Sequence, residues 1–248
     1  MKEKVRYVFG VALAGMAFGG VHGFVDRAQG AAITQADFTF ETSGVAFSTS
    51  VTQGSAAFGP VLAEVGTGSA YGSHVGTNAV YSSPAGNGSL HSLSSNVWLA
   101  GDYYQFTVPT TGIQNIVVSY DQISSSTGPK VFNFLYSTDG TTFSTAGSYS
   151  IGLTETATNS TGGTATESSW GTASTGGYNH SFDLSGIPGL NNDAGAVFEI
   201  VDADTTTATG GTDRIDNVIV SGTAVPEPAS LSLMTLAAAG LLFRRRKS

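Results

Sequence analysis

The sequence predicts an all-β protein built as an antiparallel β-sandwich with jelly-roll connectivity. The chain of 248 residues contains 33 glycines and is rich in serine and threonine, a composition that disfavours helices and suits short strands joined by turns. Apolar and polar residues alternate along most of the chain, whereas helical periodicity is almost missing. No succession of strand and helix patterns indicates a parallel sheet, and the spacing of turns suggests about eight to ten strands.

The alternation predicts the strands in order along the chain. The first is expected at residues 37–41 with Phe38 and Phe40 inward, and later ones at residues 102–108, 116–120, 130–138, 142–151, 178–184, 196–202 and 214–221. Asp139 and Gly140 predict a two-residue hairpin turn between two of these strands. Weak strands mixed with glycine-rich loop are expected at residues 42–87, and a long surface loop at residues 152–177.

The amino-terminal residues 1–30 have the pattern of a secretory signal peptide. Basic residues lie among the first six positions, and residues 7–21 are apolar and rich in alanine and glycine. Small residues allow cleavage after Gly23 or after Gly30. The later site is favoured because strand-like sequence follows it. Residues 31–224 are then the exported body, and the secretion translocon is a partner.

The carboxyl end, residues 225–248, consists of three parts. The first is an extended handle, because two prolines one residue apart cannot join a sheet ladder or a helix interior. An apolar run follows at residues 229–243, and as a helix it reaches about 22 Å, short of a hydrocarbon core of about 30 Å. Basic residues then resist transfer across a membrane. The handle is Val225, Pro226, Glu227 and Pro228, and the basic stop is Arg244, Arg245, Arg246 and Lys247.

This three-part layout resembles the PEP-CTERM sorting signal of exported bacterial proteins. The resemblance implies recognition and removal of the tail by a membrane-embedded exosortase. It also implies delivery to the cell surface or the exopolysaccharide matrix, with transient anchoring in the inner membrane by the apolar segment. The alternative is a simple carboxyl-terminal anchor, in which the apolar segment stays as a transmembrane helix.

Charge and cysteine content exclude several classes of function. Residues 31–224 contain fifteen carboxylates but only two basic residues, Lys130 and Arg214, which gives a net charge of −13. Such a body repels nucleic acid and anionic lipid headgroups. The absence of cysteine excludes disulfides, thiolate metal sites and a thiol nucleophile. Calcium is the natural counter-ion outside a cell, and the alternative is that the charge only keeps the protein soluble.

One acidic segment predicts calcium ligands. Asp202, Asp204 and Asp213 occupy positions 1, 3 and 12 of a twelve-residue stretch, a spacing at which oxygen ligands can surround the ion. Thr207 stands where a helix-loop-helix calcium site needs glycine, and the flanks are strand-like, so the segment is not an EF-hand. An ordinary solvated acidic loop is the alternative interpretation.

The body resembles β-sandwich domains of exported bacterial proteins, either carbohydrate-binding jelly rolls or adhesive modules. The resemblance rests on residues 98–106, 135–140 and 211–218, and it brings no catalytic residues with it. In sugar-binding jelly rolls a late-strand aspartate often helps a structural calcium, which adds Asp216 to the calcium candidates.

Asp216 is expected to share one face of the last strand with Arg214. The opposite face of that strand is predicted to carry Ile215, Asn217 and Ile219. Because Arg214 is one of two cations in the body, we expect it to form an ion pair with a nearby carboxylate.

Aromatic residues are the candidates for ligand contact. Trp170 in the polar loop and Tyr103 opposite the predicted core face are candidate platforms for a sugar ring, whereas Trp98 adjoins a strand and is expected in the core.

Small polar neighbours favour a surface-loop position for the histidines at positions 74, 91 and 180. Because neither a nucleophile elbow nor a zinc-protease motif occurs, catalysis is not expected.

Three functional hypotheses follow. The favoured one is a non-catalytic structural or interaction protein of the cell surface or exopolysaccharide matrix. The second is a carbohydrate-binding module with structural calcium. The third is a secreted polysaccharide-active enzyme, which needs two carboxylates facing across a cleft that the sequence does not identify.

Overall fold

The computed structural model of the protein describes most of the predicted body. The described residues are 31–42, 49–51, 55–56, 60–76, 79–151, 170–171, 173–174, 176–205 and 207–226. The predicted signal peptide, the tail from residue 227 and most of the predicted loop at residues 152–177 lie outside them. Within the part of the chain that the structure describes, no helix has the length and hydropathy of a membrane span.

The described residues form strands joined by turns and one short 3₁₀ helix, Pro188–Leu190. The strands are β1 Ala32–Phe38, β2 Thr49–Val51, β3 Ser55–Ala56, β4 Val61–Leu62, β5 Val65–Gly66, β6 Ser69–His74, β7 Ala79–Ser82, β8 Leu93–Trp98, β9 Tyr103–Thr107, β10 Ile113–Ser124, β11 Val131–Ser137, β12 Ser144–Ser150, β13 Asn179–Asp183, β14 Val197–Asp202 and β15 Ala208–Ala224.

These strands make two antiparallel sheets. Sheet A has the order β13–β10–β15–β8–β7–β2, and β1 with β5 lies beside the second half of β15. Sheet B has the order β12–β11–β14–β9–β6–β3, with β4 also paired to β6. The predicted all-β, antiparallel two-sheet architecture is therefore confirmed, and the jelly-roll connectivity stays a prediction.

Aromatic side chains from both sheets form the core. Phe134 of sheet B stacks on Phe182 of sheet A with ring centroids 4.2 Å apart, and Trp98 meets Tyr104 edge-on at 5.0 Å. Trp98 has no exposed surface, as predicted. Offset and edge-on pairs of this kind add to the free energy of apolar burial, so the core holds the sheets together without disulfides.

The hairpin predicted at Asp139 and Gly140 is present, but its connection is longer than two residues. β11 ends at Ser137 and β12 begins at Ser144. Asp139 accepts the backbone N–H groups of Thr141 and Thr142 at 2.8 and 2.7 Å, and Gly140 takes a φ of 71°. Side-chain capping of a wider turn therefore replaces the tight turn that the dipeptide predicts.

A bulge in β15 changes which residues face the core. Asn217 has a φ of 50°, and the register with β10 shifts by one residue at this point. Ile215 is buried in the core before the bulge, and Val218 and Val220 are buried after it. The prediction that Ile215, Asn217 and Ile219 share one face is therefore wrong, because the extra residue reverses the alternation.

The first and last strands end at the same end of the sandwich. Ala32 pairs with Thr223, and the N–H of Val225 donates to the carbonyl of Gly112 at 2.9 Å. We call this end the tail pole; its loops are residues 63–68, 109–112, 138–143 and 184–196. The connections at residues 99–102 and 125–130, and residues 203–205 after β14, lie at the opposite pole.

Candidate functional site

The outer face of sheet B carries a cluster of polar and aromatic side chains, the tyrosine patch, formed by Tyr71, Tyr103, Gln105 and Glu199. Adjacent strands bring them together, because Gln105 of β9 pairs with Tyr71 of β6 on one side and with Glu199 of β14 on the other. The rings of Tyr71 and Tyr103 lie 6.4 Å apart at 66°. Tyr103 faces away from the core, as predicted.

The tyrosine patch combines ring surface with groups that hydrogen-bond. The hydroxyl of Tyr71 bonds to Tyr103 and Gln105, and burial, followed by the charges of Tyr103 and Glu199, raises the pKa of Tyr71 to about 12. Glu199 is 7% exposed, and burial raises its pKa to about 7. The part of the patch that a ligand can reach therefore consists mainly of the two half-buried tyrosines, because Gln105 and Glu199 are only 9% and 7% exposed.

Trp170 lies apart from the tyrosine patch. It is 6% exposed, and it packs edge-on against Tyr178 at 5.7 Å and against Ile123 of β10. These partners place it over the outer face of sheet A, whereas Tyr103 is on sheet B. Since little of the indole surface is exposed, Tyr103 offers a ring to a ligand more readily than Trp170 does.

A second polar cluster, the paired-carboxylate site, lies on the outer face of sheet A. Asp121 of β10 and Asp216 of β15 are cross-strand partners. Asp121 accepts amide N–H groups from Asn87 and Asn217 at 3.0 and 2.9 Å and from Asn179 at 3.2 Å. The two carboxylates therefore share a small site that contains three side-chain amides.

Asp216 is only half satisfied within this site. Its Oδ2 accepts the backbone N–H of Asn87 and the hydroxyl of Ser89, both at 2.8 Å. Its Oδ1 is buried and has no hydrogen-bond partner. Burial raises the pKa of Asp216 to about 7, although its hydrogen bonds oppose the shift, and the charge of Asp121 adds a smaller contribution. The backbone of Gly86 packs directly against this site, so that a Cβ at this position would overlap Asp216 Oδ2.

The calcium candidates Asp202, Asp204 and Asp213 do not form a common ligand shell. Asp202 accepts the N–H of Asp204, and Asp204 accepts the N–H of Lys130 at 2.5 Å. Asp213 is buried in the interior, where the amide of Gln122 donates to it at 3.1 Å. Asp216 lies elsewhere, on the outer face of sheet A.

Both Asp202 and Asp213 keep one buried oxygen without a partner. Burial raises the pKa of Asp202 to about 6 and that of Asp213 well above its usual value. Among the described residues no three acidic or histidine side chains are arranged to hold a metal ion. Any metal bound by these residues therefore needs amide or backbone oxygens as further ligands.

A buried chain of side chains links the two sheets near the opposite pole. His74 Nδ1 lies 2.8 Å from Asp102 Oδ2, and His74 Nε2 lies 3.2 Å from Ser95 Oγ. The spacing is that of a catalytic triad, but all three side chains are buried, with Ser95 1% exposed. Because Ser95 Oγ is buried in this arrangement, we interpret these three hydrogen-bonded side chains as a structural link between β6 and β8.

The histidines are more buried than the sequence predicts. His74 has no exposed surface and His180 is 5% exposed, so a surface-loop position is wrong for both. His180 lies between Tyr120 and Tyr149, with ring centroids 5.5 and 4.5 Å away, and burial lowers its pKa to about 4. Their small polar neighbours are themselves strand residues, which the sequence pattern does not reveal.

The predicted ion pair of Arg214 is not formed within the described residues. The ion pair shorter than 4.0 Å in that part of the chain joins His74 to Asp102. Arg214 is half-buried on the outer face of sheet A, where its strand neighbours are Ser94 and Ile123. Neither of these directly opposite residues carries a carboxylate, so the strand pairing brings no acidic partner to Arg214.

The sorting handle begins where the body ends. Val225 and Pro226 are exposed, and the extended form of the handle stays a prediction. Glu227, Pro228 and the basic stop lie outside the described residues.

Comparison with known proteins identifies the tail and gives weak likenesses for the body. The PEP-CTERM protein-sorting motif matches residues 224–247. No curated protein matches the chain. The solved xylanase 10B fragment of Clostridium thermocellum, its CBM22-1 and GH10 modules with xylohexaose, has a TM-score of 0.41 at 12% identity. The match covers 64% of this chain, which spans 27% of the length of that fragment.

Two adhesin domains of the Lys-gingipain Kgp are also similar. The K3 domain, from Porphyromonas gingivalis, has a TM-score of 0.34 at 15% identity, covering 55% of this chain and 76% of that domain. The K2 domain has a TM-score of 0.34 at 14% identity, covering 77% and 97%. The tail match confirms the sorting signal seen in the sequence, and the protein is an all-β exported protein that carries a PEP-CTERM sorting motif at its carboxyl end.

Proposed function

We propose that this exported, exosortase-sorted protein is a non-catalytic component of the cell surface or exopolysaccharide matrix, and that it contacts polysaccharide through the tyrosine patch. The observation that carries the proposal is the patch itself. Two tyrosine rings, an amide and a carboxyl group lie together on the outer face of sheet B. Aromatic rings pack on the apolar faces of sugars and tyrosine hydroxyls bond to sugar hydroxyls, while the nearly buried Gln105 bonds to Tyr71 and helps to fix its ring.

The charge of the body favours a neutral polysaccharide. Residues 31–224 carry a net charge of −13, which repels acidic polymers. Glu199 itself adds little further repulsion, because it is only 7% exposed and burial raises its pKa to about 7. It is also the single carboxylate among the outward-facing residues of β6, β9, β11, β12 and β14. A glycosidase needs two carboxylates, so this face supports binding without hydrolysis.

Replacing Tyr71 or Tyr103 by alanine is expected to weaken polysaccharide binding about tenfold, which corresponds to about 1.4 kcal/mol. The reason is the loss of one ring surface from the patch. Native affinity gels containing matrix polysaccharide purified from the producing cells measure the effect. Ser148→Ala is the matched control, because Ser148 is exposed on the same sheet and its hydroxyl donates to Asn133, outside the tyrosine patch. Equal mobility of all four proteins would contradict the proposal, and release of reducing sugar would favour an enzyme instead.

We further propose that the paired-carboxylate site binds a structural calcium ion. Two carboxylates and three side-chain amides lie together there, and calcium prefers carboxylate and amide oxygens. The unpartnered, buried Oδ1 of Asp216 supports the proposal, because a buried carboxylate oxygen without a partner is costly. Asp121 and Asp216 would hold the ion, and Asn87, Asn179 and Asn217 could each turn an amide oxygen towards it.

Calcium is expected to raise the melting temperature of the wild-type protein at pH 7.5. At a hundredfold excess over its dissociation constant, the ion stabilises the folded state by about 2.7 kcal/mol. For a body of this size that is roughly 5–11 °C. Asp121→Asn should abolish the shift in thermal melts with calcium or chelator. Asp204→Asn should keep it, because Asp204 lies outside the site. An unchanged wild-type melting temperature, or loss of the shift in Asp204→Asn alone, would overturn the proposal.

A further inference from the structure

Both segments that tether the protein during export leave the sandwich at the tail pole. β1 begins at Ala32, directly after the predicted signal peptide, and pairs there with Thr223 near the end of β15. Val225 is still bonded to Gly112 of the body. The chain thus stays attached to the sandwich up to the residue before the Pro-Glu-Pro handle.

The remaining link to the apolar segment is short. Three residues separate Val225 from Ala229, where the apolar run begins, and the four fully extended Cα-to-Cα steps between them span at most about 14 Å. β15 also leaves between two paired strands, because Ala224 pairs with Ile113 of β10 and Thr223 pairs with Ala32 of β1. With strands about 4.8 Å apart, protein extends at least about 5 Å to each side of the exit.

The tail pole also carries exposed apolar side chains. Val225 is 38% exposed, Ile33 beside Gly222 is 37% exposed, and Leu62 at the end of β4 is 62% exposed. The tail-pole loops contain no lysine or arginine, and the two cations of the body lie elsewhere. The same loops carry the carboxylates of Glu64, Asp139 and Asp193. Contact of the apolar side chains with a membrane would therefore be enforced by the tether, with no electrostatic attraction to anionic lipid.

We propose that, while the carboxyl-terminal segment is inserted in the bilayer, the folded sandwich stands with its tail pole against the membrane surface. Ile33, Leu62 and Val225 then reach the interfacial layer, and the opposite pole points away from the membrane. The inference rests on the sorting role of the tail. As a consequence, the handle lies between the body and the bilayer, where an enzyme embedded in the membrane reaches it more easily than a soluble protease does.

Single cysteines test this orientation cleanly, because the chain contains no cysteine. The full-length variants Leu62→Cys and Val131→Cys carry an environment-sensitive fluorophore, and Val131 is a matched control that is 37% exposed and begins β11 at the opposite pole. In phosphatidylcholine vesicles, nitroxide lipids should quench the label at position 62 at least threefold more than the label at position 131. Equal quenching at both positions, or none at position 62, would overturn the proposal.

A second variant separates the tether from a chance affinity of the pole. Ten glycine and serine residues inserted between Val225 and Pro226 lengthen the link by roughly 17 Å on average. Quenching at position 62 should then fall towards that at position 131, and quenching that persists unchanged would show that the short link does not set the orientation. Polysaccharide affinity gels on the same variants report separately on the proposed function, so the failure of one proposal does not imply failure of the other.

Discussion

Replacing Asp102 by alanine is expected to lower the free energy of unfolding by about 3–5 kcal/mol, because it leaves several buried hydrogen-bond donors without their acceptor. Asp102 has no exposed surface. Its carboxylate accepts the N–H of Val75 at 2.5 Å and that of Leu99 at 2.7 Å, and it lies 2.8 Å from His74 Nδ1. Alanine would leave two backbone donors and a buried imidazole without their partner.

Urea unfolding followed by tryptophan fluorescence measures this loss, because Trp98 packs against His74 at 4.7 Å. Asp183→Ala is the matched control, since Asp183 is exposed and accepts mainly the N–H of the nearby Ser185. Asp102→Asn keeps an acceptor of nearly the same shape, so it should cost less than alanine. A loss below about 1 kcal/mol for Asp102→Ala would show that this link does not support the fold.

The alternation of apolar residues predicts the strands whose inward side chains are large. β9, β11, β13 and β14 lie within one or two residues of the expected positions. β6 lies in the stretch where the sequence predicts only weak strands without bounds, because its inward residues are Ala70, Gly72 and His74, and no hydrophobic alternation marks them. Gly72 is required there, since a Cβ would overlap the ring of Tyr81.

The candidate sites depend on register, which a single sequence does not supply. Strand alternation is enough to turn Tyr103 outward, but Tyr71 and Glu199 join it only through pairing with Gln105 in neighbouring strands. The paired-carboxylate site similarly combines Asn87 with Asp216, 129 residues apart. The spacing of the acidic residues suggests calcium ligands within one segment. In the structure Asp202 lies next to Asp204, Asp213 is in the interior, and Asp216 is on the outer face of sheet A.

In calcium-free solution the stability of the protein should fall as pH rises from about 4 to about 7, and Asp216 should contribute a large share. Its pKa is about 7 in the folded protein and 3.8 in its ordinary state, so the folded state binds the proton more tightly. That contribution is complete below pH 3.8 and is lost as pH rises through 7. A shift of this size corresponds to about 4 kcal/mol.

Asp216→Asn isolates this contribution, because an amide resembles the protonated carboxyl group at every pH. Without calcium the variant should match the wild type near pH 4 and exceed it in unfolding free energy by up to about 4 kcal/mol at pH 8. Comparing the two proteins cancels the opposite effect of His180, whose lowered pKa makes stability fall as pH drops below 6.5. Asp183→Asn serves as the exposed control and should follow the wild-type profile. Added calcium should stabilise the wild type most at high pH, where no proton competes for Asp216, and identical pH profiles for wild type and Asp216→Asn would refute the coupling.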